Sequence, residues 1–145
     1  MLFRTGNSLG ESGQAAAARD HYQHLASTTR HRLGADHPDT LNARSHVAYW
    51  RGVAGDAARA AAAFEQILAD CERVRGPDHV DTLTARKDLA RWYGVAGDAV
   101  GAAAAYEELL PDCERVLGPD HPYTLAALAR FRGKAGRAAV DLSTD

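Results

Sequence analysis

Aspartate followed by histidine occurs three times at one interval: Asp36-His37, Asp78-His79 and Asp120-His121 stand 42 residues apart. Carboxylate and imidazole are the side chains of metal ligation and of proton relays, so each pair raises the question of a metal or catalytic centre. Cys71 and Cys113 repeat at the same offset of 42, and His21, His24 and His31 crowd one short segment. A zinc centre needs three or four ligands converging on one ion. Residues that recur at a fixed period in stacked repeats lie side by side instead, so the period itself argues for architecture. The three clustered histidines have Ala63, Gln66 and Arg73 at the equivalent places one period on. They are read as exposed surface, able to hold a metal only adventitiously. The chain has no Gly-rich phosphate loop closing in Lys-Ser or Lys-Thr, no His-Glu-x-x-His and no Cys-x-x-Cys. No nucleophile with a neighbouring base can be assembled from the sequence, and neither enzymatic activity nor a cofactor is expected.

The elements that must position these residues follow from the period. With residues 33–74 set above 75–116, 27 of the 42 positions are identical, among them the "DH", "DTL", "GVAGDA", "AAAA" and "DCERV" segments. One period back, Ala60 maps to Ala18, Phe64 to Tyr22 and Gly55 to Gly13, so residues 14–32 read as the second half of an earlier unit. One period forward, "LGPDHPYTL" opens a further unit, but a Gly-x-Ala-Gly segment follows Thr124 after nine residues where it follows Thr82 after twelve. The expectation is one repeat domain over residues 1–145: a partial unit at 1–32, full units at 33–74 and 75–116, and a unit at 117–145 shortened by three residues.

Each full unit reads as two helices. In 57–74 the apolar or small residues Ala57, Ala60, Ala61, Phe64, Ile67, Leu68, Cys71 and Val74 keep the i, i+3, i+4 spacing of one helical face. The next unit repeats the face with Ala99, Ala102, Ala103, Tyr106, Leu109, Leu110, Cys113 and Val116. Pro111 lies inside this second stretch and predicts a kink or an early end. The first helix of a unit runs from Pro38 or Val80 to Arg51 or Tyr93, burying Leu41, Ala43, Val47, Ala48 and Trp50, or Leu83, Ala85, Leu89, Ala90 and Trp92. "GVAG" supplies the tight link between the two. Asp36, Asp78 and Asp120 are then placed just before first helices, where a carboxylate can cap free amides, with Pro38 and Pro122 in the first turn. Equivalent cysteines in neighbouring helices stand roughly 8–10 Å apart by axis, beyond the about 7 Å between Cα atoms that a disulfide needs, so buried free thiols are expected.

Composition agrees with a soluble globular domain: 46% of residues are hydrophobic and 25% charged. With 17 basic against 19 acidic residues there is no cationic excess for a nucleic-acid backbone. The opening "MLFRTGNSLGESG" lacks the apolar core of a signal peptide, and no run approaches the ~20 apolar residues of a membrane span. A cytoplasmic protein is expected.

At "LGPDHPYTL", and at "GVAGDA" followed by an alanine-rich helix with an aromatic nine residues after the second glycine, the chain resembles the tetratricopeptide repeats of the kinesin-light-chain type. The alanine- and arginine-rich wording also resembles repeat arrays of actinobacterial signalling proteins. The resemblance implies an all-α, right-handed superhelical solenoid of antiparallel helix hairpins that binds peptides or proteins on a groove lined by first helices, with no enzymatic activity. Carried onto this sequence, the groove positions are Asn42, Ser45 and Tyr49 in one unit and Thr84, Lys87 and Arg91 in the next, each triad spaced for one helical face. Lys87 and Arg91 would favour an acidic or carboxylate-bearing segment through charge-assisted hydrogen bonds, with Tyr49 as a contact ring. A merely solvated face is the alternative for these six residues. For the chain as a whole, the leading expectation is a protein- or peptide-binding scaffold serving a larger signalling system. The runner-up is self-association through uncovered helix faces carrying Leu125, Leu128 and Phe131.

Overall fold

A computed structural model describes residues 14–143 of the chain, with side chains described over 14–133. Gly13 and the N-terminal segment before it, including the start of the expected first unit, lie outside the described residues. Six helices make up what is described: α1 Gln14–Leu33, α2 Pro38–Val53, α3 Ala57–Arg75, α4 Val80–Val95, α5 Ala99–Leu117 and α6 Pro122–Ser143. No strand occurs among the described residues. The bounds of α2 and α4, and of α3 and α5, differ by 42 at both ends, so the sequence period is a structural one. The chain divides into two compact units, one ending at Val74 and the other starting at Arg75.

In the first unit Ala15, Ala18, Tyr22 and Trp50 form a buried cluster, with Val47 and Tyr49 packed against it. In the second the cluster is Leu83, Ala90, Tyr106, Leu109, Cys113 and Ala127, flanked by Ala105, Leu110, Leu117 and Phe131. Most of the expected apolar stripe is therefore inside. It stops one turn early in both second helices, where Val74 and Val116 are 38% and 36% exposed. Cys71 and Cys113 are both buried, and neither forms a disulfide.

The connectors before first helices share one construction. Gly34, Gly76 and Gly118 leave the preceding helix at φ of 101°, 90° and 94°, a region that costs a Cβ-bearing residue dearly. The carbonyl of each glycine then accepts a hydrogen bond from a threonine six residues on: Thr40 Oγ1 at 2.7 Å, Thr82 Oγ1 at 2.8 Å and Thr124 Oγ1 at 2.8 Å. All three threonines are buried. The bond folds the connector over the start of the helix.

Three expectations need correction. The cap of the first helix is the histidine and not the aspartate: His37 Nδ1 accepts from the Asp39 amide at 3.1 Å, His79 Nδ1 from Asp81 at 3.0 Å and His121 Nδ1 from Tyr123 at 3.1 Å. A ring nitrogen can accept only while unprotonated. Carboxylate caps do occur, at the starts of second helices, where Asp98 accepts from the Gly101 amide at 2.7 Å and Asp56 from Arg59 at 3.2 Å. Second, of the kink or early end expected at Pro111, the early end does not occur, since α5 continues to Leu117. The proline removes one backbone donor on an exposed face while buried Leu109 and Cys113 hold the helix on either side of it.

Third, no turn follows Gly133, since α6 is one helix to Ser143. Counted strictly by 42, Gly136 falls at the place of Gly52 and Gly94, which are themselves helical. The residues that turn the chain are Gly55 and Gly97, at φ of 109° and 98°. Their counterpart is Ala139, and the helix runs on through it.

Replacing Thr82 with valine keeps the shape but strips the Gly76 carbonyl of its buried donor, and should lower the unfolding free energy in urea by about 1–3 kcal/mol. Thr84→Val is the control, because Thr84 Oγ1 only returns to the Val80 carbonyl of its own helix. Equal effects from the two variants would refute this role for the connector threonine.

Candidate protein-binding surface

A side chain on a first helix can meet a partner only if the frame beneath it is held, and in each unit the frame carries a chain of ion pairs. In the first, Arg44 of α2 bonds Asp70 of α3 at 2.7 Å, Asp70 bonds Arg73 at 3.2 Å, and Arg73 grips Asp36 of the connector through two nitrogens at 3.0 and 2.8 Å. In the second, Arg86 bonds Asp112 at 2.7 Å, Asp112 bonds Arg115 at 3.2 Å, and Arg115 grips Asp78 at 3.1 and 2.7 Å. In the two full units the acid of the Asp-His pair is thus a latch between the connector and the last turn of the second helix. Sequence reasoning missed the latch, although all eight residues are identical between the full units.

The six sequence-selected residues divide by unit. On α2, Asn42 is exposed and Ser45 Oγ donates to the Leu41 carbonyl at 3.1 Å. Tyr49 is half-buried and meets the Trp50 ring edge-on at 5.0 Å. On α4, Thr84 donates to its own helix at 2.8 Å, Lys87 Nζ stands 4.6 Å from the centre of the Tyr123 ring, and Arg91 Cζ is 5.5 Å from that of Trp92. Both hydroxyls spend their proton inside the helix and offer outward only acceptor lone pairs. Both cations lie against aromatic rings, an attraction of about 0.5–1 kcal/mol at such partly exposed places.

Asp88, one residue along from Lys87, was not among the residues selected. It is half-buried, and burial raises the pKa of its carboxyl, opposed by the charges of Lys87, Arg91 and Arg130. Its counterpart in the first unit is His46, whose ring stacks on Tyr22 at 4.5 Å and whose pKa burial lowers. Tyr106 is fully buried, and its hydroxyl has no hydrogen-bond partner. Burial pushes its ionisation up, and the charge of nearby Arg130 pulls it back. The second unit therefore presents alternating charge rather than a plain cationic strip.

The opposite face of α2 from Asn42 and Tyr49 carries a feature that sequence reasoning also missed. A cleft of ≈ 440 Å³ opens among α1, α2 and α3, lined by Gln23, Ser27, Arg30, Arg44 and Gln66 over a floor that includes Val47 and Ile67. Small residues at Ala26, Ala48 and Ala63 leave the space.

With the geometry in hand, comparisons with known proteins decide the family. Tetratricopeptide repeat models match residues 42–111 and residues 6–39, together 104 of 145 residues. The chain belongs to the tetratricopeptide repeat family. No curated protein matches it. Among solved structures, the nearly identical TPR-like repeats from Podosopora anserina, of kinesin light chain type, superpose with a TM-score of 0.78 at 23% identity, covering 97% of this chain and 69% of that one. A point variant of the same protein gives the same values. BtubC (BKLC) from P. vanneervenii superposes with a TM-score of 0.69 at 16% identity, over 88% of this chain and 56% of that one. These likenesses establish the helical-repeat fold. Repeats of this family generally serve protein–protein interaction, and no described helix is long and apolar enough to cross a membrane. The spacing Gly6-Asn7-Ser8-Leu9-Gly10 is that of a nucleophile elbow, an exception to the lack of catalytic motifs. It lies outside the described residues, and such an elbow follows a strand, whereas every described element is a helix.

The ion-pair chains make a prediction about pH. Hydrogen bonds from Arg73, Arg44, Arg115 and Arg86, in that order, hold the carboxyls of Asp36, Asp70, Asp78 and Asp112 below their ordinary 3.8. A folded-state pKa below the unfolded one contributes stability that is present above 3.8 and lost as pH falls through the lowered values. His46 adds an earlier loss, because its folded pKa lies below 6.5 and the unfolded ring takes up protons first. Asp88 has the opposite sign, with its contribution present below 3.8 and lost as pH rises through its raised value. The melting temperature should therefore fall in two stages on acidification, one starting near 6.5 and one below 3.8. Arg86→Ala should shrink the lower stage and cost about 1 kcal/mol near neutrality. A melting temperature that holds steady below 3.8 would show the latches to be idle.

Proposed function

We propose that the chain is a non-enzymatic, cytoplasmic protein- or peptide-binding module, the interaction part of a larger signalling system, and that its first helices meet the partner through Asn42, Ser45 and Tyr49 on α2 and through Thr84, Lys87 and Arg91 on α4. The single observation that carries this reading is the pose of the two cations. Lys87 and Arg91 stand four residues apart on one face of α4, each steadied by a ring, Tyr123 for one and Trp92 for the other. Side chains so ordered lose less freedom when a ligand arrives. A hydroxyl that can only accept lies on the same helix at Thr84, and α2 carries another at Ser45. This pattern suits a partner with carboxylates for the cations and amide donors for the hydroxyls, as an acidic peptide segment has. Asp88 sets a limit, since a run of unbroken negative charge would meet it, so acidic residues separated by neutral ones are favoured.

The test is fluorescence titration with synthetic peptides in which glutamate alternates with neutral residues, against neutral peptides of equal length. Lys87→Ala with Arg91→Ala should weaken binding of the alternating peptides by about tenfold or more, ~1.4 kcal/mol per factor of ten, and flatten the salt dependence. Asp88→Asn should instead strengthen it. Unchanged affinity in the double variant would leave these residues as a solvated face.

A further inference from the structure

Two leucines stand at places where the repeat elsewhere buries its apolar residues. Leu25 of α1 is 41% exposed, although one and two periods on the same position is held by Ile67 at 2% and Leu109 at 0%. Leu125 of α6 is 50% exposed, although its counterparts Leu41 and Leu83 are at 5% and 2%. In the second unit the corresponding pair, Leu83 on a first helix and Leu109 on a second helix, belongs to one buried cluster. α6 has the register of a first helix and α1 that of a second helix. Each exposes the leucine that the other type of helix would cover.

We propose that α6 of one copy and α1 of another pair as the two arms of a composite hairpin, so that this chain associates head to tail with itself. Three correspondences support a second copy as the occupant. Leu125 would meet Leu25 as Leu83 meets Leu109. The Arg86–Asp112 position, an ion pair in both full units, becomes Leu128 on α6 and Thr28 on α1, neutral against neutral. Thr28 already donates its proton to the His24 carbonyl at 2.9 Å, so no unsatisfied donor enters the contact. The latch position keeps its charge: Asp120 is exposed and makes no ion pair among the described residues, whereas its counterparts Asp36 and Asp78 are gripped by Arg73 and Arg115. Two periods back from Arg115 is His31, in a last turn of α1 that reads Arg30, His31, Arg32. The acid of one copy thus finds a basic helix end on the next.

Such a contact joins unlike faces, and each copy keeps one of each kind, so association is not limited to a dimer. This makes a sharp test. Sedimentation velocity and light scattering of the unaltered chain should give a mass that rises with concentration. Leu25→Glu and Leu125→Glu, both at exposed sites, should each give monomers with unchanged helical circular dichroism. An equimolar mixture of the two variants should form a dimer that does not grow, since one intact α6 then meets one intact α1. Asp120→Arg, which sets a cation against Arg30 and Arg32, should weaken association by about fivefold and keeps the proposal testable should either glutamate variant unfold. A monomer at every concentration, persistent association of either glutamate variant alone, or a mixture that stays monomeric would overturn it. Lys87 and Arg91 take no part, so this result and the peptide titration fail independently.

Discussion

Neither helix of a hairpin can bury its apolar stripe alone, and the shared burial between a first helix and a second helix is the constraint that everything else in this molecule obeys. In the second unit Leu83, Leu109 and Cys113 disappear together into one cluster. Complete burial of a leucine side chain contributes about 1.5–3 kcal/mol, while a solvent-exposed ion pair contributes about 0–1 kcal/mol. The magnitudes assign the roles. Apolar burial supplies the stability, and the chains of arginine and aspartate, exposed at Arg73–Asp36 and Arg115–Asp78, set which turn of one helix faces which turn of the other. A slip by one residue would break a two-nitrogen grip and the Arg–Asp bond between the two helices at once.

That division explains what could be read from residues alone. The period, the two helices per unit and the leucines that go inside rest on apolar spacing, a property of each segment by itself. Whether Asp78 or His79 caps α4 does not. Adjacent polar side chains are both able to turn back over a helix start, and the choice falls to histidine because Arg115, 37 residues on, takes the carboxylate. The identity of Arg115 and Arg73 across the units held that information, but only in combination with knowledge of which helix ends meet. Val74 and Val116 illustrate the same limit from the apolar side: they lie on the stripe by spacing, yet the first helix has ended before it reaches them. At α6 the period is legible but the continuation of the helix is not, because a glycine within a helix and a glycine that turns the chain look alike until φ is known.

The residues that differ between the full units tell a second story. The latch residues, the connector threonines and the turning glycines are the same in both. On the first helices Asn42 becomes Thr84, Ser45 becomes Lys87, His46 becomes Asp88 and Tyr49 becomes Arg91. One frame therefore carries two chemistries at equivalent places. The column from His46 to Asp88 to Arg130 is the clearest instance, holding an imidazole, a carboxylate and a guanidinium at one register position. Tyr22 stacks on the first of these and Tyr106 aims an unpartnered hydroxyl near the last, so the column is also felt in the cores of both units. Change of this kind on a fixed frame is what a scaffold needs to tell partners apart.

The uncovered leucines bear on whether α1 and α6 face water or a partner. A helix face built only to meet water in a repeat protein is made polar, and some substitutions here look like that: Leu128 and Thr28 remove an arginine and an aspartate that would otherwise stand without their pair at a partly buried place. Neutralising an unpaired charge serves a free end and a contact equally well, so those two positions do not discriminate. Leu25 and Leu125 do. A solvated face gains nothing by keeping the repeat's core leucine at 41% and 50% exposure, and a single polar substitution would remove the apolar patch. Retaining both leucines, together with an acid on one face and a basic helix end on the other, fits surfaces that are covered for part of the protein's life, and the complementary register of α6 and α1 is what the proposed pairing of two copies draws on.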